Sequence, residues 1–431
     1  MPALSLTNAA EPASPADTGP LSRGQARSLF ALSLLLFFAW GFATVLIDIL
    51  IPKFKGLFAL SYAEAMLTQF AFFLGYFVFS LPAGRAVARL GYMRGIVLGL
   101  LVMAGGALLF IPAGMVGLYW PFLVALFVMA AGITILQVAA NAVISLAGEA
   151  GTSSARLTLA QAFNSLGTFI GPYVGARLLL EGREEGALIV GEAERGAAFA
   201  QLQLPYTIIG GLLLLLAAIF FLRRNLLGNA LQPSPAAGLG LDLLRQPRLL
   251  FGVIAIFAYV GAEVAIGSLL VAYLAQPEVL GLSLADAGKL VALYWGAAMV
   301  GRFVGAALLS RVPAGLLLAL FAAGAIALSA VSGLSGGTLA AVAIIAVGLA
   351  NSIMFPTIFS QAVLGLGGRA SEGAALLCMA IVGGAILPVL AGAVADAAGL
   401  AAALIVPVLG YAWVLFYGWW LSRRPLTGAT V

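Results

Sequence analysis

One carboxylate stands alone in the first long apolar stretch of the chain. Asp48 follows the apolar residues 37–45 and precedes Pro52 by four positions. An ionised side chain is unfavourable by roughly 2.5–3.5 kcal/mol at the centre of a bilayer, so a carboxylate in such a stretch faces protein or water. Asp48 is therefore a candidate for reversible protonation. The competing interpretation places it at the outer interface, where it is solvated close to Lys53 and Lys55.

A second carboxylate, Glu263, lies in an apolar stretch of the second half of the chain. An offset of 219 residues aligns Phe38 with Phe257 and Thr44 with Glu263. Thr44 shares a helix face with Asp48. The two acids are therefore predicted to face one central cavity from opposite halves. The alternative is that Glu263 fixes helix packing through a hydrogen bond to a neighbouring helix.

Amide side chains recur at helical spacing in two other apolar stretches. Gln137 and Asn141 are four residues apart, and Gln161 and Asn164 are three apart, so each pair lies on one helix face. Such a face can bind hydroxyl groups, and hydrogen bonding between helices is the competing explanation. Gly167 belongs to another stripe of the same helix, where small residues let helices approach closely.

Aromatic residues complete the candidate site. A flat apolar ring can lie against the C–H face of a pyranose while amides bind its hydroxyls. Tyr259, Tyr294 and Trp295 are the candidates for this role, and ordinary core packing is the alternative. A pocket for lipophilic drugs would need fewer amides, so the pattern favours a sugar.

The composition is typical of a polytopic membrane protein. Of the 431 residues, 63% are hydrophobic and 9% are charged, and the mean hydropathy is +1.12, which exceeds that of soluble domains. The chain has no histidine and one cysteine, and it carries no phosphate-binding loop and no serine-centred elbow. The sequence therefore predicts no enzyme, no metal site, no cofactor and no use of ATP.

Apolar segments long enough to cross a bilayer number twelve. The predicted spans are 28–51, 63–88, 93–113, 118–147, 157–180, 203–223, 248–274, 284–310, 314–333, 337–364, 372–395 and 400–421. Gly84-Arg85 recurs as Gly301-Arg302, an offset of 217 residues, and Gly167 recurs as Gly383, an offset of 216 residues. The predicted fold class is an all-α membrane protein of twelve transmembrane helices in two pseudo-symmetric six-helix bundles.

The predicted boundaries follow from the same pattern. Residues 1–24 are predicted to be a disordered cytoplasmic tail, 25–223 the N-terminal bundle, 224–247 a cytoplasmic linker, 248–423 the C-terminal bundle and 424–431 a cytoplasmic tail. Most arginines at helix ends fall on the side shared by both termini, which predicts that this side is cytoplasmic. The basic residues form no single run, so nucleic acid is not expected as a partner.

Several strings in the chain resemble those of a known family. The twelve-span plan and the stretch from Gly84-Arg85 to Arg94 are similar to the major facilitator superfamily. Within it, the chain resembles the fucose–galactose–glucose:proton symporter family. The strings that carry this resemblance are Phe38-Ala39-Trp40-Gly41-Phe42, Asp48-Ile49-Leu50-Ile51-Pro52, Leu136-Gln137-Val138-Ala139-Ala140-Asn141, Gln161-Ala162-Phe163-Asn164-Ser165-Leu166-Gly167, Tyr259-Val260-Gly261-Ala262-Glu263 and Asn351-Ser352-Ile353-Met354-Phe355-Pro356-Thr357.

The resemblance implies proton-driven sugar uptake across a bacterial inner membrane. Asp48 matches the protonatable carboxylate of the family, and Gln161 and Asn164 match its sugar-contacting amides. Asn351 lies in another of the family strings and joins the substrate-binding candidates. The fucose permease branch has an acid at the position of Gln137. A glutamine there resembles the glucose/galactose branch.

The sequence therefore predicts a hexose:proton symporter that works by alternating access. The expected partners are a sugar, a proton and membrane lipid, and the expected oligomeric state is a monomer. Four alternatives remain at this point. They are a symporter for an amino sugar such as N-acetylglucosamine or for fucose, a sodium-coupled sugar symporter, a sugar sensor without transport, and a drug:proton antiporter.

Overall fold

The computed structural model describes residues 23–60, 67–147, 149–179, 192–225, 227 and 240–424. Within these residues the regular structure is helical and there is no strand. We number twelve helices in chain order. The first six are α1 (Arg23–Phe58), α2 (Leu67–Leu90), α3 (Tyr92–Leu108, continued by Phe110–Val116), α4 (Tyr119–Leu146), α5 (Ser153–Leu179) and α6 (Glu192–Leu222).

The second six helices include three that are interrupted. They are α7 (Pro247–Ala275), α8 (Leu284–Leu309), α9 (Ala314–Leu334), α10 (Gly337–Asn351 and Met354–Val363), α11 (Ala370–Met379 and Gly383–Ala398) and α12 (Leu400–Ala403 and Ile405–Ser422). Short 3-10 segments at Ala150–Thr152, Leu241–Arg245, Gly367–Arg369 and Ala380–Val382 precede or interrupt these helices. The interruptions of α10 and α11 fall inside long apolar spans, where non-helical backbone is tolerated only against protein or a polar cavity.

The helices have the length and composition of membrane spans. Eleven helical segments of the described chain are long and apolar enough to cross a membrane, and α5, with 27 residues, is the twelfth long helix. Large apolar side chains face outward, and Leu334 and Met115 are 90% and 78% exposed, as expected where lipid replaces water. The predicted fold class is confirmed. The predicted domain boundaries stay predictions, since most of the linker lies outside the described residues.

The same close helix crossing occurs twice. A Cβ atom added to Gly167 of α5 would lie 2.3 Å from the carbonyl oxygen of Phe38 on α1, and one added to Gly383 of α11 would lie 2.1 Å from that of Phe257 on α7. Only a glycine allows backbones to approach this closely. In the predicted repeat, Gly167 corresponds to Gly383 and Phe38 corresponds to Phe257. The two bundles therefore share the same close helix packing.

Arginines occur at the helix ends that the predicted order of the spans puts on one side of the membrane, and we call this side the arginine-rich face. Its members are Arg85, Arg89, Arg94, Arg156, Arg245, Arg248, Arg311, Arg369 and Arg423. The two bundles meet where α2 packs on α11, α5 on α8 and α10, and α4 on α10 and α11. Gly84 of α2, for example, faces Ala375 and Ser371 of α11. The bundles are therefore closed together at the arginine-rich face.

Candidate functional site

Asp48 lies on α1, and its side chain is outside the part of the chain that the structure describes. The hydroxyl of Thr44, one turn earlier, donates to the carbonyl oxygens of Trp40 and Gly41, each at 3.1 Å. Thr44 is therefore satisfied within its own helix. The protonatable role of Asp48 stays a prediction.

The amides of α4 are buried and have unused hydrogen-bonding groups. Gln137 is 4% exposed and Asn141 is fully buried. Within the described chain, Oε1 of Gln137 and both amide atoms of Asn141 have no hydrogen-bond partner. A buried polar group without a partner costs roughly 1–3 kcal/mol. These amides therefore destabilise the helix bundle unless something else binds them.

The two amides of α5 differ in their hydrogen bonding. Nδ2 of Asn164 donates to the carbonyl oxygen of Phe37 on α1, at 3.0 Å. Gln161 is buried and makes no hydrogen bond to the described residues. Asn164 therefore ties α5 to α1 beside the Gly167 crossing, whereas the amide of Gln161 is available to a ligand.

Gln161 belongs to a polar stripe that runs along α5. The stripe consists of Ser154, Thr158, Gln161 and Ser165, spaced by four, three and four residues, which places all four on one helix face. Ser154 Oγ lies 2.8 Å from Ser360 Oγ of α10. The stripe therefore faces the second bundle. The spacing of the stripe is visible in the sequence, although only Gln161 among its members was predicted to bind a ligand.

A buried polar cluster in the second bundle, which we call the tyrosine cluster, consists of Tyr259 and Glu263 of α7, Tyr294 of α8, Asn351 of α10 and Tyr411 of α12. Nδ2 of Asn351 donates to Tyr294 Oη at 2.8 Å, and Tyr259 Oη donates to the carbonyl oxygen of Asn351 at 3.2 Å. The three tyrosines are fully buried. The structure thus brings four of the predicted site residues together and adds Tyr411, for which the sequence held no local signal.

Three polar atoms of the tyrosine cluster have no hydrogen-bond partner among the described residues. They are Oε1 of Glu263, Oδ1 of Asn351 and the hydroxyl oxygen of Tyr411. Two of the three are pure acceptors when the carboxyl is ionised, so the cluster can bind a hydroxyl group, a proton or a small cation.

Trp295 lies at the edge of this cluster. Its ring meets that of Tyr294 edge to face, with 5.1 Å between the centroids. The Trp295 side chain is 45% exposed, however, whereas Tyr294 is buried. The structure therefore places the two neighbours in different environments, and only Tyr294 belongs to the buried hydrogen-bond network.

Arg302 of α8 connects the two bundles. Its Nε donates to the carbonyl oxygen of Ser352 at 3.3 Å, and its Nη1 donates to Oγ of Ser165 on α5. The guanidinium also lies within electrostatic range of Glu263. In the sequence, Arg302 stands out only as part of the repeated pair Gly301-Arg302, because a contact between residues 137 positions apart cannot be recognised from local spacing.

The chemistry of these groups is that of binding. Amides, tyrosines, hydroxyls and a single carboxylate donate and accept hydrogen bonds to a neutral polar solute. Within the described chain no group of three or more histidine, cysteine or acidic side chains could hold a metal ion. The arrangement suits a solute with several hydroxyl groups.

Comparison with known proteins gives the family context. A family model described as Major Facilitator Superfamily matches residues 29–376. The chain is 47% identical over 391 residues to a glucose/galactose transporter of Brucella abortus, and the alignment covers 90% of this chain and 93% of that protein. It is 35% identical over 418 residues to the L-fucose-proton symporter of Escherichia coli, and that alignment covers 93% of this chain and 95% of the symporter.

A solved structure supports the same relationship. The crystal structure of the major facilitator transporter FucP in the outward conformation matches with a TM-score of 0.83 and 33% identity. The match covers 94% of this chain and all of that chain. At this identity the likeness extends to sequence as well as fold.

Proposed function

This chain belongs to the major facilitator superfamily, and on that premise we propose that it is a proton-coupled symporter for a hexose of the glucose or galactose type. The observation that carries the proposal is the set of buried polar atoms, on Gln137, Asn141, Glu263 and Asn351, that have no partner among the described residues. A hexose presents several hydroxyls, each of which donates and accepts. The names of the relatives, which include glucose/galactose and fucose transporters, support the same substrate class.

The proposed cycle is alternating access between the two bundles. The bundles are closed at the arginine-rich face, and the similar FucP structure is in the outward conformation. We assign the arginine-rich face to the cytoplasm of a bacterial inner membrane, since positive residues favour that side. The functional unit is one chain surrounded by lipid.

Asp48 and Glu263 are the proposed coupling residues. Protonation of Asp48 removes a charge from the cavity and permits the loaded carrier to reorient, because sugar and proton both favour the state that they bind more tightly. Glu263, beside Tyr259, is proposed to stay neutral or to exchange its own proton during the cycle.

Uptake by the full chain in proteoliposomes tests the proposal. Labelled glucose, galactose, fucose and N-acetylglucosamine are supplied with and without an inward proton gradient. We expect glucose and galactose to accumulate only with the gradient, and to exchange by counterflow without it. Preference for fucose or N-acetylglucosamine would reassign the substrate. Counterflow of amphiphiles alone would indicate a drug:proton antiporter. The absence of any counterflow would indicate a sugar sensor without transport.

Sodium in place of the proton is the second candidate, favoured by two acceptor oxygens of the tyrosine cluster that have no partner in the described part of the chain. Glu263 Oε1 and Asn351 Oδ1 are the ligand type that hard cations take. For the proton assignment, Glu263→Gln should retain sugar binding, shift the pH dependence of uptake and remain indifferent to sodium. A sodium requirement in the natural protein that disappears in Glu263→Gln would reverse the assignment.

A further inference from the structure

One face of α12 is apolar and exposed along the helix. Its members are Ile405, Leu409, Ala412, Phe416 and Trp419, all of them exposed. They are spaced by four, three, four and three residues, which places them in one stripe. Arg423 follows Trp419 by four residues and continues this stripe. The other faces of α12 pack against α7 and α9, so the stripe faces lipid and Arg423 marks its end.

The length of the stripe places Arg423 at the depth of lipid headgroups. From Ile405 to Arg423 the helix rises by about 27 Å, close to the thickness of the hydrocarbon core of a bilayer. Trp419 and Trp420 precede the arginine pair by one turn, and tryptophan is enriched at the boundary between hydrocarbon and headgroups. The end of α12 therefore meets the polar surface of the membrane at the arginine-rich face.

Arg423 and Arg424 lie over the two tryptophan rings. Cζ of Arg423 is 4.7 Å from the ring centroid of Trp419, and Cζ of Arg424 is 5.0 Å from that of Trp420. Both arginines are exposed, and the ion pairs of the described chain involve other residues. A guanidinium that lies on an aromatic ring keeps its planar edge of N–H donors. Both arginines can therefore bind an anion.

The end of α12 is held in place by α7. Tyr417 Oη donates to the carbonyl oxygen of Arg248 at 3.0 Å, and Nη1 of Arg248 donates to the carbonyl oxygen of Arg424 at 3.4 Å. The ring of Trp420 meets that of Phe251 edge to face, with 5.3 Å between the centroids. These contacts fix the backbone and one ring of the site before a ligand binds, which lowers the entropy lost on binding.

The chemistry at this end of α12 fits the phosphate of a lipid. A guanidinium binds a phosphate through two parallel N–H···O bonds, which an ammonium group cannot form. At headgroup depth the phosphates belong to lipids, and an anionic lipid adds a net negative charge that complements two arginines. Because Arg423 continues the lipid-facing stripe, a lipid reaches the pair from within the bilayer.

The end of α6 offers a matched comparison in the first bundle. Arg223 and Arg224 follow the last residue of α6 as Arg423 and Arg424 follow that of α12. Cζ of Arg224 lies 4.2 Å from the ring centroid of Phe221, but Nη1 of Arg224 already donates to the carbonyl oxygen of Phe221 at 2.9 Å. The α6 pair therefore has the same charge without two guanidiniums stacked on tryptophan.

We propose that the end of α12 is a binding site for the phosphate of an anionic phospholipid. Arg423 and Arg424 bind the phosphate oxygens, and the rings of Trp419 and Trp420 support the two guanidiniums at the boundary with the acyl chains. The site is separate from the tyrosine cluster. It needs no sugar, so it can be tested independently of the proposed transport.

Lipid binding to the full-length protein tests the proposal. The protein is purified in detergent and titrated with phosphatidylglycerol or with phosphatidylethanolamine, and the bound lipid is counted by native mass spectrometry. Inorganic phosphate in large excess is added as a competitor. We expect phosphatidylglycerol to bind more tightly than phosphatidylethanolamine and to resist inorganic phosphate. Equal binding of the two lipids would overturn the proposal, and displacement by inorganic phosphate would reassign the site to a soluble anion.

Three double variants separate a built site from general charge. Arg423→Gln with Arg424→Gln should raise Kd for phosphatidylglycerol about 30-fold, or roughly 2 kcal/mol, as expected for two basic residues at an anionic surface. Arg423→Lys with Arg424→Lys keeps the charge and loses the planar donors, so we expect a rise of about fivefold. Arg223→Gln with Arg224→Gln is the control and should change Kd by less than about twofold.

The lysine pair decides between the two kinds of binding. Affinity equal to that of the natural protein in the lysine pair, or an equal loss in the α6 control and the α12 glutamine pair, would show binding by net charge alone and overturn the site. Thermal unfolding of each variant checks that it is folded. Should the glutamine pair fail to fold, the lysine pair still tests the proposal, because it keeps both charges at the end of α12.

Discussion

The two amides of α5 are expected to respond differently to truncation. Gln161→Ala should raise KM for the sugar by about 5- to 100-fold, the equivalent of roughly 1–3 kcal/mol for partners left unsatisfied. Asn164→Ala removes the bond to Phe37 and should lower the thermal unfolding temperature more than it changes KM. Binding assays and thermal unfolding of both variants, made side by side, decide this. Equal losses of affinity with unchanged stability would show that Asn164 also binds sugar.

Asp48→Asn is expected to abolish accumulation and to preserve exchange. An amide resembles the protonated carboxyl, so the variant should reorient without a proton. Uptake and counterflow in the same proteoliposomes measure the two activities. Asp286→Asn is the control, since Asp286 is exposed and pairs with Lys289 at 2.8 Å on one helix. Normal accumulation by Asp48→Asn would contradict the coupling role.

The sequence identified the types of the site residues more readily than their partners. Lone acids and amides in apolar runs stand out because they are unfavourable there. Asn164 bonds α1 and Gln161 does not. This difference depends on the rotation of α5 against its neighbours. Tyr411 and Arg302 reach the site from distant helices, and no local spacing marks them.

At the scale of helices, the crossing of α7 and α11 should not tolerate a side chain. Gly383→Ala would bring a Cβ to within 2.1 Å of the carbonyl oxygen of Phe257, so the helices must separate. We expect loss of folded protein or a clear fall in unfolding temperature. Gly392→Ala on the same helix is the control, because nothing lies within 4 Å of its added Cβ. Equal stability of the two variants would show that the crossing is not close in the folded protein.

The helix spans were predictable from apolar runs, whereas the interruptions within them were not. The predicted span 337–364 corresponds to α10 and 372–395 lies within α11. Both of these helices are interrupted, at Ser352–Ile353 and at Ala380–Val382. Length and hydropathy fix where a chain crosses the bilayer. Where a helix bends within it depends on packing against other helices, which composition does not record.

At the scale of the whole molecule, an ion-pair clamp joins the linker to α11. The two terminal guanidinium nitrogens of Arg369 donate to Asp242, at 2.6 and 2.8 Å, and Nη2 also donates to Glu372 at 2.6 Å. Asp242 lies in the 3-10 segment Leu241–Arg245 that precedes α7. The clamp therefore holds the linker against α11, which forms part of the closed interface with α2.

Asp242→Asn should weaken this closure. Loss of the charge removes the ion pair, so the equilibrium is expected to shift toward the state that is open at the arginine-rich face. Thr158 is fully buried in the polar stripe of α5 that faces the second bundle, so faster maleimide labelling of Thr158→Cys in the absence of sugar would report the shift. Asp286→Asn again serves as the control, and equal labelling in the two backgrounds would show that the clamp does not contribute to closure.

The pH dependence of the clamp follows from the pKa of Asp242. Hydrogen bonds from Arg369 lower this pKa below its ordinary value of 3.8. A lowered pKa in the clamped state means that the stabilisation is present above the ordinary pKa and is lost as pH falls through the lowered value. Labelling of the closed state should therefore not change between pH 5 and 8 through Asp242. Any change of uptake in that range must come from other groups.

The division into two bundles was predictable from the repeat, but the closed state of the arginine-rich face was not. Gly167 and Gly383 fall at matching positions because each bundle needs the same crossing. A transporter sequence must stabilise more than one arrangement of its bundles. The sequence therefore does not predict which face is closed in a given structure.

The guanidinium of Arg302 also limits the leakage of cations across the membrane. A fixed positive charge between the two bundles, where Arg302 donates to Ser165, raises the energy of hydronium and of metal cations there and leaves neutral solutes unaffected. When the two bundles separate at the arginine-rich face, water and sugar can pass toward that face while cations remain disfavoured, so the membrane potential is preserved. The residue that bonds the two bundles together is in this sense also a barrier to ion leakage.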